Sequence, residues 1–223
     1  MNAPRISALI PAYNAAAFLA DALDSVFAQT HPVDEVIVLN DGSTDDTAAV
    51  AARYAGRIRY AEQPHAGIRV GREWLVQEAR GEWLAFLDAD DIWYADKTAR
   101  QLAVIAGEPD LEFLHGHMIR FRDEPAGRVF HPPEPAPLVS ASLLRRSAVE
   151  KYGGFSGSDD VGEFFDWMVR ARERGLRERC MPETVVWRRV HGGNIGVRDR
   201  EAEQRSYLHT VRAALARRRN AAP

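Results

Sequence analysis

The sequence predicts an α/β protein: a doubly wound, mostly parallel central sheet with helices on both faces, fused to a smaller second half. Three observations carry this expectation. Short apolar runs alternate with stretches of helical periodicity through the first half of the chain, the pattern of strand–helix–strand crossovers. The runs Glu35-Val36-Ile37-Val38-Leu39 and Trp83-Leu84-Ala85-Phe86-Leu87 are apolar on successive residues, which suits strands covered on both faces. Each run also opens into a loop of Asp, Asn, Gly or Pro, and in such sheets ligands bind where those loops leave the strands.

Taken in order, Ile6 to Ile10 is the first strand, and Pro11 is expected to end its pairing. Phe18, Leu19, Ala22, Leu23, Val26 and Phe27 then form one apolar helical stripe. Glu35 to Leu39 is the second strand. It runs into Asn40-Asp41-Gly42-Ser43-Thr44-Asp45-Asp46, a turn able to cap a helix over Thr47 to Tyr54. Arg57 to Ala61 is the third strand, and a helix from Val70 to Ala79 ends at Arg80-Gly81. The fourth strand carries Phe86-Leu87-Asp88-Ala89-Asp90-Asp91.

The character changes near Gly107-Glu108-Pro109. Glu112 to Leu114 and His117 to Phe121 read as two strand segments, and the proline-rich His131 to Pro137 reads as an extended loop. Leu138 to Arg145 is a strand or strand-turn. Gly153-Gly154-Phe155 leads to Ser158-Asp159-Asp160, an expected helix start. On that helix Phe164, Phe165, Met168 and Val169 form the apolar stripe, while Glu163, Asp166 and Arg170 share the opposite face. Val185 to Val190 is a strand entering His191-Gly192-Gly193-Asn194. A last helix, Arg205 to Arg219, ends in three arginines that suit a helix C-terminus, with weak contact to an anionic membrane surface as the alternative expectation.

Composition narrows the class. The 223 residues are 46% hydrophobic and 27% charged, the profile of an ordinary globular protein. A formal net charge of -3 argues against a nucleic-acid partner. The single cysteine, Cys180, excludes an intrachain disulfide and a cysteine-rich zinc site. No apolar stretch approaches the roughly 20 residues that span a bilayer. The N-terminus runs past Arg5 straight into a strand, unlike a signal peptide, so the expectation is a cytoplasmic enzyme or binding protein.

The acidic strand end is the chemical focus. Crowded carboxylates repel one another and are costly to desolvate, and a cation relieves both. The spacing Asp88-x-Asp90 suits a hard ion such as Mg²⁺ or Mn²⁺, held by one or two carboxylates plus phosphate oxygens. The competing reading is a turn that caps the next helix, with Asp91 at or near its start. Convergence of the loops at 11–14, 40–43, 65–67 and 88–91 on one sheet edge favours the metal for Asp88 and Asp90.

Four of these segments carry a resemblance. Ile10-Pro11-Ala12-Tyr13-Asn14, Val38-Leu39-Asn40-Asp41-Gly42-Ser43, Ala66-Gly67 followed by Arg72, and Phe86 to Asp91 match family 2 glycosyltransferases in order and approximate spacing. Ala79-Arg80-Gly81-Glu82 and Asp96-Lys97 are similar to the family's connecting sequence, and Arg189-x-His191 looks familiar further on. The resemblance implies a GT-A fold with a nucleotide-sugar-binding half over residues 1–107, an acceptor-binding half of the same domain over 108–198, and a C-terminal basic helix over 199–223. It implies inverting, metal-dependent transfer of a sugar from a nucleotide-diphosphate sugar, uridine-linked first, to a hydroxyl acceptor that is a glycan, lipid, peptide or small molecule.

The implied roles fall on numbered positions. Asp41 resembles the aspartate that accepts a hydrogen bond from the pyrimidine. Pro11, Ala12 and Tyr13 would line the nucleoside pocket, Arg72 would lie near base and phosphates, and Asp88 with its neighbour Ala89 would meet the ribose. Asp90, with Asp88 and His191, would serve Mn²⁺ or Mg²⁺. The family's base stands in a Glu-Asp pair, and here that pair reads Glu163-Phe164, which is the main departure. Asp166, past the first helical turn, is the preferred base and Glu163 the second choice. Trp93 and Tyr94 are expected to line a sugar site, and His115 and His117 to share a strand face. The departure at Phe164 keeps open a nucleotide-sugar-binding protein without transfer. A nucleotidyltransferase ranks last, because the loop after the first strand is not glycine-rich and basic.

Overall fold

A computed structural model describes residues 4–124, 127–155, 162–194 and 200–221. In it β1 (Ile6–Ala12), β2 (Glu35–Asn40), β3 (Arg59–Glu62) and β4 (Trp83–Phe86) lie side by side in the order β3-β2-β1-β4, all parallel. β9 (Ser142–Arg145) pairs antiparallel with both β4 and the long β6 (Phe113–Glu124), so β6 points the same way as β4. β10 (Glu178–Arg189) is parallel to β6, and the two-residue β5 (Ile92–Trp93) closes that edge antiparallel. β7 (Gly127–Phe130) and β8 (Glu134–Pro135) pair with β6. The central sheet is therefore mostly parallel, and six strands, β1 to β4 with β6 and β10, present their carboxyl ends on one edge.

Alternation along the strands divides the core into two layers. Ala8, Ile10, Val36 and Val38 pack with α1 (Leu19–Phe27), α2 (Thr47–Ala52) and α4 (Lys97–Gly107). Leu9, Ile37 and Leu39 face α3 (Ile68–Glu78), α5 (Arg146–Lys151) and α6 (Glu163–Glu173). The long α7 (Arg200–Ala221) packs on α6. Among the described residues no helix is long and apolar enough to cross a membrane.

Several boundaries differ from expectation for physical reasons. β1 does not stop at Pro11 but pairs with β2 through Ala12. Leu87 N–H donates to Leu9 and Asp41 N–H to Ala12, so alternation turns Pro11 toward the β4 side, where the ladder has already ended. The two expected strand segments around His115 are one strand, β6. Gly116 permits this, because a Cβ there would lie 2.7 Å from the Glu183 carbonyl on the irregular stretch of β10. The helix after the acidic cluster starts only at Lys97, with β5 intervening, so Asp91 caps nothing. Ser158-Asp159-Asp160 lies outside the described residues; α6 begins at Glu163, after Gly162 at φ 89.

Candidate active site

Three interlocked loops make the first part of the site. Asp41, just beyond β2, is buried, and its carboxylate is a hub. Oδ1 accepts from Gln63 Nε2 (2.6 Å) and Ala66 N–H (2.9 Å), while Oδ2 accepts from Gly67 N–H (2.9 Å) and lies 2.8 Å from His65 Nδ1. Gly42, at φ 71, lets the two loops touch: a Cβ there would sit 2.5 Å from the His65 nitrogen. Asn14 ties in the β1 loop, its N–H donating to Ser43 Oγ (2.9 Å) and its Oδ1 accepting from Thr44 N–H (2.8 Å). The exposed Tyr13 ring stacks on His65 at 4.0 Å. Pro11 and Ala12 are buried within β1, and Ala89 is buried in the layer beneath α1, so these three offer backbone rather than side chains to the edge.

The second part is a chain of charges across the molecule. Arg72, on α3 and 7% exposed, donates through Nη2 to Asp88 Oδ1 (2.6 Å) and through Nη1 to Glu163 Oε1 at the start of α6. Glu163 is 3% exposed. Arg72 Nε is buried with no hydrogen-bond acceptor among the described residues. Asp166, the preferred base on sequence grounds, points elsewhere. It accepts from Arg170 Nε (2.7 Å), whose other nitrogens donate to the carbonyls of Tyr152 and Gly154. Phe164 packs among Phe113, Phe155 and Trp167.

The third part joins the end of β4 to the end of β10. His191 Nε2 lies 3.0 Å from Asp90 Oδ2, and Asn194 Nδ2 donates to the same oxygen (2.8 Å). Among the described residues no group of three His, Cys, Asp or Glu is poised to hold a metal. The Asp90–His191 pair nonetheless fits two ligands of one ion. Their separation equals that of adjacent donors at about 2.1 Å around an octahedral cation, about 3.0 Å. Asp88, expected to join them, is directed at Arg72 instead.

Sequence reasoning missed the residues that hold this corner. Buried Arg189 donates from Nε to the Asp90 carbonyl (3.0 Å), from Nη2 to Asp21 (2.7 Å) and from Nη1 to Asp123. Its guanidinium sits between the rings of Phe18 and Phe121. Asp91 is buried rather than solvated, and its Oδ1 accepts the Arg189 N–H (3.1 Å). Burial, then the neighbouring carboxylates of Asp90 and Asp88, push its carboxyl well above the usual range. Ser140 Oγ accepts the Asp88 N–H (3.1 Å). Trp93 does not face the cleft: it is buried, with Nε1 donating to the Ser140 carbonyl (3.0 Å). Tyr94 packs on Trp187, and His115 is buried against Phe113, where burial holds its imidazole below the ordinary value. The only sequence signal for Arg189 was its place two residues before His191.

The family description "Glycosyl transferase family 2" matches residues 7–153. Curated relatives include a putative teichuronic acid biosynthesis glycosyltransferase, TuaG, of Bacillus subtilis. It is 32% identical over 137 residues, which is 59% of this chain and 54% of that protein. The uncharacterized glycosyltransferase YibD of Escherichia coli is 36% identical over 111 residues, 48% of this chain and 32% of that one. The chain spans about half or less of the length of these relatives. Among solved structures, S. aureus TarS 1-349 in complex with UDP superimposes with a TM-score of 0.70 at 18% identity, covering 84% of this chain and 61% of that one. The fold is thus the GT-A type, and the chain belongs to glycosyl transferase family 2.

Proposed function

We propose that this chain is an inverting glycosyltransferase that moves a sugar from a uridine-diphosphate sugar to a hydroxyl acceptor, with residues 1–107 holding the donor and 108–198 the acceptor. The observation that carries this reading is the Arg72 bridge. One buried guanidinium joins Asp88, at the donor-side strand end, to Glu163, at the N-terminus of the helix beyond the cleft. Solved complexes of TarS contain UDP and UDP-GlcNAc, which supports the uridine donor.

The residues divide the work as follows. Tyr13 offers a stacking face for the base. Asp41 already holds about as many donors as a carboxylate has lone-pair positions, so a uracil N–H enters by replacing His65, whose side chain is 52% exposed. Asp88 accepts from the ribose hydroxyls. Asp90 and His191 would hold Mn²⁺ or Mg²⁺, which supplies positive charge against the leaving diphosphate. Glu163, rather than Asp166, takes the proton of the acceptor hydroxyl. That oxygen bonds to the anomeric carbon from the face opposite the diphosphate, and the carbon–oxygen bond to UDP breaks. Arg72 keeps the Glu163 carboxylate oriented for this step.

Calorimetric titration of UDP with and without Mn²⁺ tests the donor site. Binding that needs the cation, and is lost in Asp90→Ala, is the expected result. No heat in the presence of both would refute the reading. One observation favours a second reading, a binding protein without transfer: the family's usual acid position is Phe164, a core ring. UDP-sugar turnover by the wild type, abolished in Glu163→Gln, rejects it.

A further inference from the structure

α7 packs on α6 through a narrow face in which Ser206, Thr210 and Ala214 are buried. The fit is close at its start, where a Cβ on Gly162 would lie 2.8 Å from Ser206 Oγ. A second stripe faces outward. Leu208, Val211 and Leu215 are 56, 45 and 47% exposed, and their spacing of three and four residues sets them in one line along the helix. Arg212 and Arg219 follow Leu208 and Leu215 by four residues and are exposed, so each borders that line. Arg217 is on the inner side, paired to Glu173 at 2.7 Å. Residues 200–221 contain six arginines against two glutamates, in a chain whose formal net charge is -3, and the exposed Glu201 is paired to Arg205.

We infer that the outer face of α7 docks on an anionic lipid surface. The leucines and valine enter the headgroup boundary, while Arg212 and Arg219 extend along it to meet lipid phosphates. Charge decides between occupants. A second copy of this chain, in an antiparallel two-fold contact centred on Val211, would bring the two Arg212 side chains together beside the axis. An anionic bilayer answers both features at once, taking the apolar line into its boundary and pairing the guanidinium groups. This inference is independent of the transfer chemistry, because it reads attachment rather than turnover.

Co-sedimentation of the full chain with vesicles tests it. Partition onto phosphatidylglycerol/phosphatidylcholine vesicles should exceed that onto phosphatidylcholine alone by at least about tenfold and should weaken with salt. Arg212→Gln should weaken it about fivefold. The double change Leu208→Ser with Leu215→Ser should abolish it while the circular dichroism spectrum stays that of wild type. Equal partition onto both vesicle types, or none onto either, overturns the proposal. So does a concentration-dependent dimer in solution that the double change abolishes, which would assign the stripe to a second copy. If the double variant loses helicity, Arg212→Gln with Arg219→Gln carries the test, and unchanged anionic binding in that variant refutes it.

Discussion

Glu163 is ion-paired to Arg72, a partner 91 positions earlier in the chain, and both side chains are almost fully enclosed. Breaking a buried pair from one side leaves an uncompensated charge. Arg72→Met should therefore cost about 3–5 kcal/mol. Arg72→Met combined with Glu163→Met should recover most of that loss. Urea unfolding of the single and double variants measures both, and a double variant as unstable as the single one contradicts the pairing.

The assignment of the base to Glu163 separates two carboxylates on one helix. Glu163→Gln should lower kcat by about 100- to 10,000-fold with little change in donor KM. Asp166→Asn loses the Arg170 pair and its hold on the Tyr152–Gly154 turn, so it should cost about 1 kcal/mol of stability and leave kcat within about tenfold. Steady-state kinetics with UDP-sugar decide, and the reverse pattern would return the base to Asp166.

Asp41 serves the loop before it serves a ligand. Asp41→Ala leaves the Ala66 and Gly67 N–H groups without their acceptor, which should cost about 1–3 kcal/mol and weaken UDP binding as well. His65→Ala removes an exposed donor and the ring on which Tyr13 stacks, but leaves the Gln63, Ala66 and Gly67 donors to Asp41. Its UDP affinity, measured by calorimetry, should stay within about threefold of wild type if the two backbone donors keep the carboxylate in place.

Lys97 gives a pH signature. It is fully enclosed, with Nζ donating to Gln101 and to the Ser142 carbonyl, and burial lowers its ammonium to about 7. An unfolded lysine titrates at about 10.4, so between these values the unfolded chain binds more protons than the native one. Stability should rise with pH across that window, by on the order of a few kcal/mol. Lys97→Met should flatten this slope. Urea midpoints of both proteins at about pH 7 and about pH 9 check it, and parallel pH dependences would rule it out.

What was legible in the sequence was local. β4 and its acids could be read because the apolar run and the carboxylates adjoin, and the shared face of Asp166 and Arg170 because four residues make about one helical turn. What was not legible depends on distant partners. β5 is two residues long and exists only through its pairing with β10. Asp91 looked like a cap because its true partner, the Arg189 N–H, is 98 positions away. Pro11 looked like a strand end because nothing local says that only one of its two flanking ladders continues. Arg189 is visible in the sequence only as part of the Arg189-x-His191 element, since its worth arises from Asp21, Asp90 and Asp123 meeting in space.

That meeting has a consequence for engineering. Under the proposed division of the chain, exchanging its later part with a relative's is the way to alter acceptor preference. Arg189 lies in that later part, yet it is clasped by Asp21 on α1, by the Asp90 carbonyl and by Asp91 through its N–H, all before residue 108. A graft that cuts the chain near residue 107 and imports a foreign β10 would separate the clasp from its guanidinium. Chimeras that keep native β6, which carries Asp123, and the native stretch from β10 through Asn194, and exchange only what lies between them, should preserve the corner on which the Asp90–His191 pair depends.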